Sequence, residues 1–272
     1  MEITVDGAPV GVPEGATILD ALAARGLDTP TICFAPNLTP VNACRVCVVE
    51  LEGARVLVPA CSRPVEDGMV VRTDTERVRH SRRMVLELLA TANDLGEAGE
   101  IGEWCATHGV DTDRYPADAT RVDEDVKVQD DLYVRDYAKC VQCYKCVEAC
   151  GDDAQHTYAI AIAGRGFDAR VSTEYDVTLP DSACVYCGNC IGVCPTNALQ
   201  FRTEFDLRRA GEWRPDEQTI TRTVCSYCGV GCNLDLHVQD ERIVKVTSPA
   251  DHDVTHGHLC VKGRFGWAYV HA

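Results

Sequence analysis

Sixteen of the seventeen cysteines fall into four sets of four, and this grouping constrains the chain more than any other feature. Cys33, Cys44, Cys47 and Cys61 form a C-x10-C-x2-C-x13-C set. Cys140, Cys143, Cys146 and Cys150 form a C-x2-C-x2-C-x3-C run, which Cys184, Cys187, Cys190 and Cys194 repeat. Cys225, Cys228, Cys232 and Cys260 make the last set, C-x2-C-x3-C-x27-C, and only Cys105 is left over. Thiolates in fours suit iron–sulfur clusters, whose iron sites take soft sulfur ligands. The chain therefore reads first as a conductor of single electrons, built from small modules in which inorganic cores replace part of a hydrophobic core.

Disulfides are the alternative use of so many cysteines. They need a secreted chain, and Met1-Glu2-Ile3-Thr4-Val5-Asp6 has neither a basic start nor an apolar run. Recurring Cys-x-x-Cys pairs also suit metal binding better. A reducing, cytoplasmic setting is expected. No apolar stretch reaches the roughly 18 residues of a membrane span. The formal charge of −16 argues against a nucleic-acid partner and fits a protein that docks on other proteins. Charge runs such as Asp123-Glu124-Asp125 read as solvated loop faces.

Residues 1–75 read as a small sheet with one helix. Ile3-Thr4-Val5 and Val10-Gly11-Val12 flank the turn signal Asp6-Gly7. Thr17 is a helix N-cap before Ile18 to Ala24, with Gly26 as the stop. Val46 to Leu51, Val56 to Pro59 and Met69 to Thr73 are branched-residue strands. Residues 75–92 turn helical, with Val78, Met84, Val85, Leu86, Leu88 and Leu89 on a broad apolar stripe. A polar, Gly-containing stretch follows to about residue 130. The two C-x2-C-x2-C-x3-C runs then form an internal repeat over 132–202, and Gly211 to Glu217 looks like a linker. In the last module Ile243 to Val246 reads as a strand.

The first set keeps a paired Cys-x2-Cys and differs from the plant-type spacing; a [2Fe–2S] cluster is favoured over zinc. The paired runs carry the strongest signal, because in this bacterial ferredoxin pattern the fourth cysteine of each run ligates the other run's cluster. Cys140, Cys143, Cys146 and Cys194 would hold one [4Fe–4S] cluster, and Cys184, Cys187, Cys190 and Cys150 the second. Pro195 follows the last cysteine as the pattern expects, whereas Gly151 replaces proline after the first run. By spacing alone the fourth set is open between a [4Fe–4S] cluster and a zinc ribbon with a long insertion.

Three stretches resemble one family. Residues 1–75, with Thr31-Ile32-Cys33 and Ala43-Cys44-Arg45-Val46-Cys47-Val48-Val49-Glu50, resemble the N-terminal [2Fe–2S] domain shared by three proteins. These are the complex I large iron–sulfur subunit, the small diaphorase subunit of NAD-reducing hydrogenases and the NAD-dependent formate dehydrogenase α subunit. Residues 132–202 resemble the two-[4Fe–4S] domain that follows there. Residues 220–272 resemble the first domain of molybdenum or tungsten bis-pterin enzymes, formate dehydrogenases above all. The residues responsible are Cys225-Ser-Tyr-Cys228-Gly-Val-Gly-Cys232 and His258-Leu-Cys260-Val-Lys262-Gly-Arg-Phe-Gly266. The resemblance implies an α+β chain: a β-grasp [2Fe–2S] domain over 1–75, a helical connector over 76–131, a two-[4Fe–4S] ferredoxin-like domain over 132–207 and a [4Fe–4S] module over 218–272. It also implies a [4Fe–4S] cluster on Cys225, Cys228, Cys232 and Cys260, with Lys262 between it and a pterin.

Two departures bear on function. Where the family usually has one histidine and three cysteines for a further cluster, Thr91 through Trp104 has no such run. Cys105 then reads as a small structural residue, and His80 and His108 as helix-face and loop residues. His252, His256 and His258 read as a polar loop leading to Cys260. The chain also ends at Ala272, and Gly164-Arg165-Gly166 has no strand–helix context for a nucleotide site. No site for pterin, flavin or nicotinamide is visible, so molybdopterin, FMN and NAD are expected only on partner subunits. The expected role is an electron-transfer subunit between a separate bis-pterin catalytic subunit, as of formate dehydrogenase, and a flavin/NAD subunit. A diaphorase-type subunit of a [NiFe] hydrogenase and a free multi-cluster carrier are the alternatives.

Overall fold

The computed structural model describes residues 1–271. They divide into two compact units, residues 1–34 with 40–122, and residues 35–39 with 123 onward.

In the first unit, β1 (Glu2–Val5) and β2 (Ala8–Gly11) form an antiparallel hairpin. Its turn needs two left-handed residues, and Asp6 (φ 48°) and Gly7 (φ 80°) supply them. α1 (Ile18–Ala24) starts at Thr17, whose side chain accepts the Asp20 N–H while the Asp20 carboxylate accepts the Thr17 N–H. This reciprocal box satisfies two N–H groups that a helix start leaves free. β3 (Val48–Leu51), β4 (Val58–Pro59) and β5 (Val70–Arg72) complete a five-stranded sheet in the order β2-β1-β5-β3-β4. Ile3, Val5, Ile18, Leu22, Val49 and Val71 fill the core between this sheet and α1.

α2 (Glu76–Ala92) and α3 (Glu100–Thr107) follow in the same unit. The face of α2 that is buried differs from the expected stripe: Leu88 is exposed, whereas Arg82 and Glu87 are buried with Val78 and Leu86. Tertiary partners override the apolar pattern here. Glu87 lies 3.8 Å from Arg83 and 3.5 Å from Arg114 and accepts the Asp111 N–H. α3 lies inside the stretch read as polar, held by buried Ile101 and Trp104.

The second unit contains the internal repeat. β6 (Tyr133–Arg135) precedes the first run and pairs antiparallel with β9 (Leu199–Phe201), which follows the second. Between them lie α4 (Lys145–Cys150), the hairpin β7 (Ala161–Ala163) and β8 (Arg170–Ser172), and α5 (Asn189–Gly192). α6 (Arg202–Ala210) leads to a three-stranded antiparallel sheet, β10 (Thr219–Val224), β11 (Asn233–Gln239) and β12 (Arg242–Thr247). α7 (Val261–Phe265) packs against it. The expected linker is docked rather than free. Trp213 lies between Arg208 and Lys245, 5.2 and 4.9 Å from its ring centroid, and Lys245 also pairs with Glu204 of α6 at 3.0 Å. Among the described residues no helix is long and apolar enough to cross a membrane.

Candidate iron–sulfur sites

Cys47 enters β3 and Cys61 leaves β4. The register Val48↔Pro59 therefore brings the two thiols together across a hairpin. The Ala60 N–H donates to the Cys47 carbonyl at 3.3 Å and locks this pairing. Cys33 and Cys44 come from the loop after α1, where the left-handed Asn42 (φ 63°) and Arg45 (φ 58°) turn the chain back on itself. The Cys44 N–H points at Cys33 Sγ at 3.4 Å, and Asn42 Oδ1 accepts from Ser62 Oγ at 2.7 Å. Cys33, Cys47 and Cys61 are buried. Hydrogen bonds from Cys44 and Cys61 pull the Cys33 thiol down to about 2, and the same contacts push Cys44 and Cys61 up. One thiolate thus forms at the expense of its neighbours. Four together need an added positive charge, which ferric iron supplies. The donor set fits a [2Fe–2S] cluster.

The two runs share one backbone design. In each, the second residue after the first cysteine is left-handed (Gln142, φ 51°; Tyr186, φ 57°). So is the residue after the second cysteine (Tyr144, φ 67°; Gly188, φ 70°). Each such turn aims backbone N–H groups inward, as with Tyr186 N–H on Cys184 Sγ at 3.4 Å. A short helix follows, carrying Cys146 and Cys150 in the first run and Cys190 in the second.

Two cavities result. Cys140, Cys143, Cys146 and Cys194 line one, with Tyr137 and Leu199. Cys150, Cys184, Cys187 and Cys190 line the other, with Tyr133 and Ile160. The fourth cysteine of each run thus lines the cavity of the other run. Burial pushes the Cys140 thiol up to about 12 and holds Cys146 and Cys190 well above the usual thiol range. Such thiols ionise only against bound metal. Among the described residues no three donors meet at a point as around a single ion; in each half of the repeat four cysteines line one cavity.

In the fourth set, Val224 pairs with Asn233, so Cys225 and Cys232 flank the turn between β10 and β11. The Cys225 N–H donates to the Cys232 carbonyl at 2.8 Å. Cys260 is the N-cap of α7, and its charge and that of Cys228 both act on Cys232. All four cysteines are brought together. Unlike the other sets, this one opens to solvent: Cys228 and Cys260 are exposed, and so is Lys262 two residues on.

Where the resemblance leads to a further histidine-and-cysteine cluster, Ala98, Ile101 and Trp104 are packed instead. Cys105 is half-buried, less enclosed than a core residue, and burial raises its thiol pKa. His80 lies exposed on α2, and His108 caps α3. His252, His256 and His258 lie in the loop before Cys260, where both ring nitrogens of His258 are buried without hydrogen-bond partners. The residue that sequence reasoning missed is Arg264. It is completely buried beside Cys187 and Cys190, and its place within Val261-Lys262-Gly263-Arg264 was the only signal.

Three family models match in register with these sites. They are a 2Fe-2S iron-sulfur cluster binding domain over residues 1–76, a 4Fe-4S dicluster domain over 139–198 and a Molybdopterin oxidoreductase Fe4S4 domain over 218–272. All three are iron–sulfur domain models, and they follow one another along the chain in that order.

Its likeness extends across the whole length. It is 32% identical to an NADH-quinone oxidoreductase subunit of Rhizobium meliloti, a match covering 99% of this chain and 31% of that protein. It is 28% identical to a putative formate dehydrogenase of Staphylococcus haemolyticus, again covering 99% of this chain and 31% of that protein. The chain therefore spans about a third of the length of these relatives. Among solved structures, a chain of an NAD+-reducing [NiFe]-hydrogenase in the H2-reduced state superposes with a TM-score of 0.66 at 26% identity. That match covers 74% of this chain and 87% of the other.

Proposed function

We propose that the chain holds one [2Fe–2S] and three [4Fe–4S] clusters on the sixteen cysteines in the sets described. It would relay electrons between a molybdenum or tungsten bis-pterin catalytic unit, of the formate dehydrogenase kind, and a flavin/NAD subunit, in the cytoplasm. Bound clusters supply single-electron exchange. The chain's residues fix where the clusters sit, exclude water and set the charge around the sulfurs.

One observation carries the reading: the fourth set alone opens to solvent, with Lys262 beside it, while the sets in the two cavities are largely enclosed. A relay needs such a terminus, where a redox partner can approach a cluster without crossing protein. Exposed Tyr227, Val230, Val261 and Tyr269 supply apolar contact area near that opening. The likeness of the last module to the molybdopterin oxidoreductase Fe4S4 domain points to a pterin unit as that partner.

Likeness to the hydrogenase chain supports a second reading, a diaphorase-type subunit whose last cluster is a docking relay. Metal analysis of the complex purified natively with this chain decides between them. Molybdenum or tungsten beside abundant iron supports the formate dehydrogenase reading, nickel replaces it with the hydrogenase one, and iron alone leaves a free carrier.

A further inference from the structure

Arg264 is fully buried, and its hydrogen bonds all go to neutral oxygens. Nε donates to the Cys187 carbonyl at 3.5 Å and Nη1 to the Val246 carbonyl at 3.4 Å. Nη2 donates to Asn189 Oδ1 at 3.2 Å and to the Gly257 carbonyl at 3.5 Å. No carboxylate pairs with it among the described residues. Taking a guanidinium out of water without an anion nearby is costly, and neutral acceptors repay only part of that cost.

The chain nevertheless makes room for it. A Cβ at Gly188 would stand 2.8 Å from Arg264 Cγ, and one at Gly192 would stand 3.3 Å from Nη2. The two glycines flank Asn189-Cys190-Ile191, so the guanidinium fits directly against the segment that carries Cys187 and Cys190. Those two sulfurs are its principal electrostatic partners, and they turn negative once they ligate a cluster. A guanidinium stays charged at neutral pH.

We propose that Arg264 is a fixed counter-cation that raises the reduction potential of the cluster held by Cys150, Cys184, Cys187 and Cys190. The inference rests on those cysteines holding a [4Fe–4S] cluster. Reduction adds one negative charge to that cluster, and an uncompensated cation in a medium of low dielectric stabilises the reduced form selectively. A carboxylate partner would cancel this effect, and its absence is what gives the arginine leverage. Because Arg264 belongs to α7, whose N-cap is Cys260, the fourth module supplies the charge that tunes a cluster of the repeat. Arg264 is thus a positioning residue: it touches no substrate and acts through the cluster.

The test is potentiometric titration, followed by electron paramagnetic resonance, on the iron-loaded full chain, with iron and acid-labile sulfide measured on each sample. In Arg264→Gln, the reduced-to-oxidised ratio of one [4Fe–4S] signal at a fixed potential should fall at least tenfold, a downward shift of about 59 mV for one electron. The signal that moves should be the one altered by Cys184→Ser, and the other potentials should hold. A fully loaded Arg264→Gln with the wild-type potential overturns the proposal. If that variant does not load, Arg264→Lys decides. Its shorter side chain withdraws the charge from the Cys187 carbonyl, so a lowered potential at full iron content supports the proposal and an unchanged one overturns it. Iron loss from both variants makes Arg264 structural and also overturns it. A wild-type chain without two [4Fe–4S] signals from the repeat would instead sink the cluster reading itself.

Discussion

Asn189 Oδ1 accepts the backbone N–H of Leu259 at 2.9 Å, so the residue before Cys190 is hydrogen-bonded to the residue before Cys260. The same oxygen takes Arg264 Nη2 at 3.2 Å. One buried amide therefore ties a ligand segment of the repeat to a ligand segment of the fourth module. It also gives the two candidate clusters a short bonded connection.

Replacing Asn189 with Ala should leave the Leu259 N–H buried without an acceptor. The expected cost is about 1–3 kcal/mol, the penalty for an unsatisfied buried donor. Urea unfolding of the iron-loaded chain measures it. Asn189→Asp keeps the acceptor oxygen and should recover most of the loss. Equal stability of the Ala variant and the wild type would show that the contact contributes nothing.

Crossed ligation makes a paired prediction. Cys140→Ser and Cys194→Ser, 54 positions apart in sequence but lining one cavity, should perturb the same [4Fe–4S] signal. Cys150→Ser and Cys184→Ser should perturb the other. Uncrossed ligation would instead group Cys194→Ser with Cys184→Ser in the paramagnetic resonance spectrum. Cys105→Ser should leave iron content unchanged, because among the described residues no group of three donors surrounds that thiol.

Much of this site was legible because cluster ligands obey local spacing. A turn that aims three thiols inward needs its cysteines two residues apart, and the left-handed residues at Gln142, Tyr144, Tyr186 and Gly188 fit between them. Thr17 and Asp6-Gly7 were legible for the same reason, since caps and tight turns are decided within four residues. Arg264 was not legible. Its role depends on Gly188 and Gly192, more than seventy positions earlier, leaving space for it. The burial of Arg82 and Glu87 on α2 was hidden likewise. Apolar periodicity cannot reveal that Arg82 meets the Val48 carbonyl at 3.1 Å or that Arg83 and Arg114 meet Glu87. α3 escaped notice because only Ile101 and Trp104 anchor it within a polar string.

Lys262 is exposed on a helix whose N-cap is Cys260. Its removal should leave all clusters loaded, because its side chain is not part of the folded interior. Under the proposed function, Lys262→Ala should slow electron exchange with the catalytic partner by about tenfold or more, the size of one lost charge-assisted contact of roughly 1.5–3 kcal/mol. Stopped-flow reduction of the complex, compared with iron content, measures this. Unaltered transfer would separate Lys262 from the partner interface.

His237 gives the fold a pH dependence of known sign. It lies on β11 opposite Lys245 of β12, with Nε2 2.9 Å from Thr247 Oγ1. Burial, and then the charge of Lys245, lowers its pKa from 6.5 to about 4. The unfolded chain therefore binds this proton more tightly than the folded one. The contribution of the neutral ring to stability is complete above about pH 6.5 and is lost as pH falls toward 4. Between those values His237 should add up to about one proton to the uptake on unfolding. His237→Gln, which keeps a polar group near Thr247 and cannot titrate, should flatten the pH dependence of the unfolding midpoint in that window. The comparison is made on samples matched for iron content, so that acid release of clusters is common to both. An unchanged slope would show that the ring titrates alike in the folded and unfolded chains.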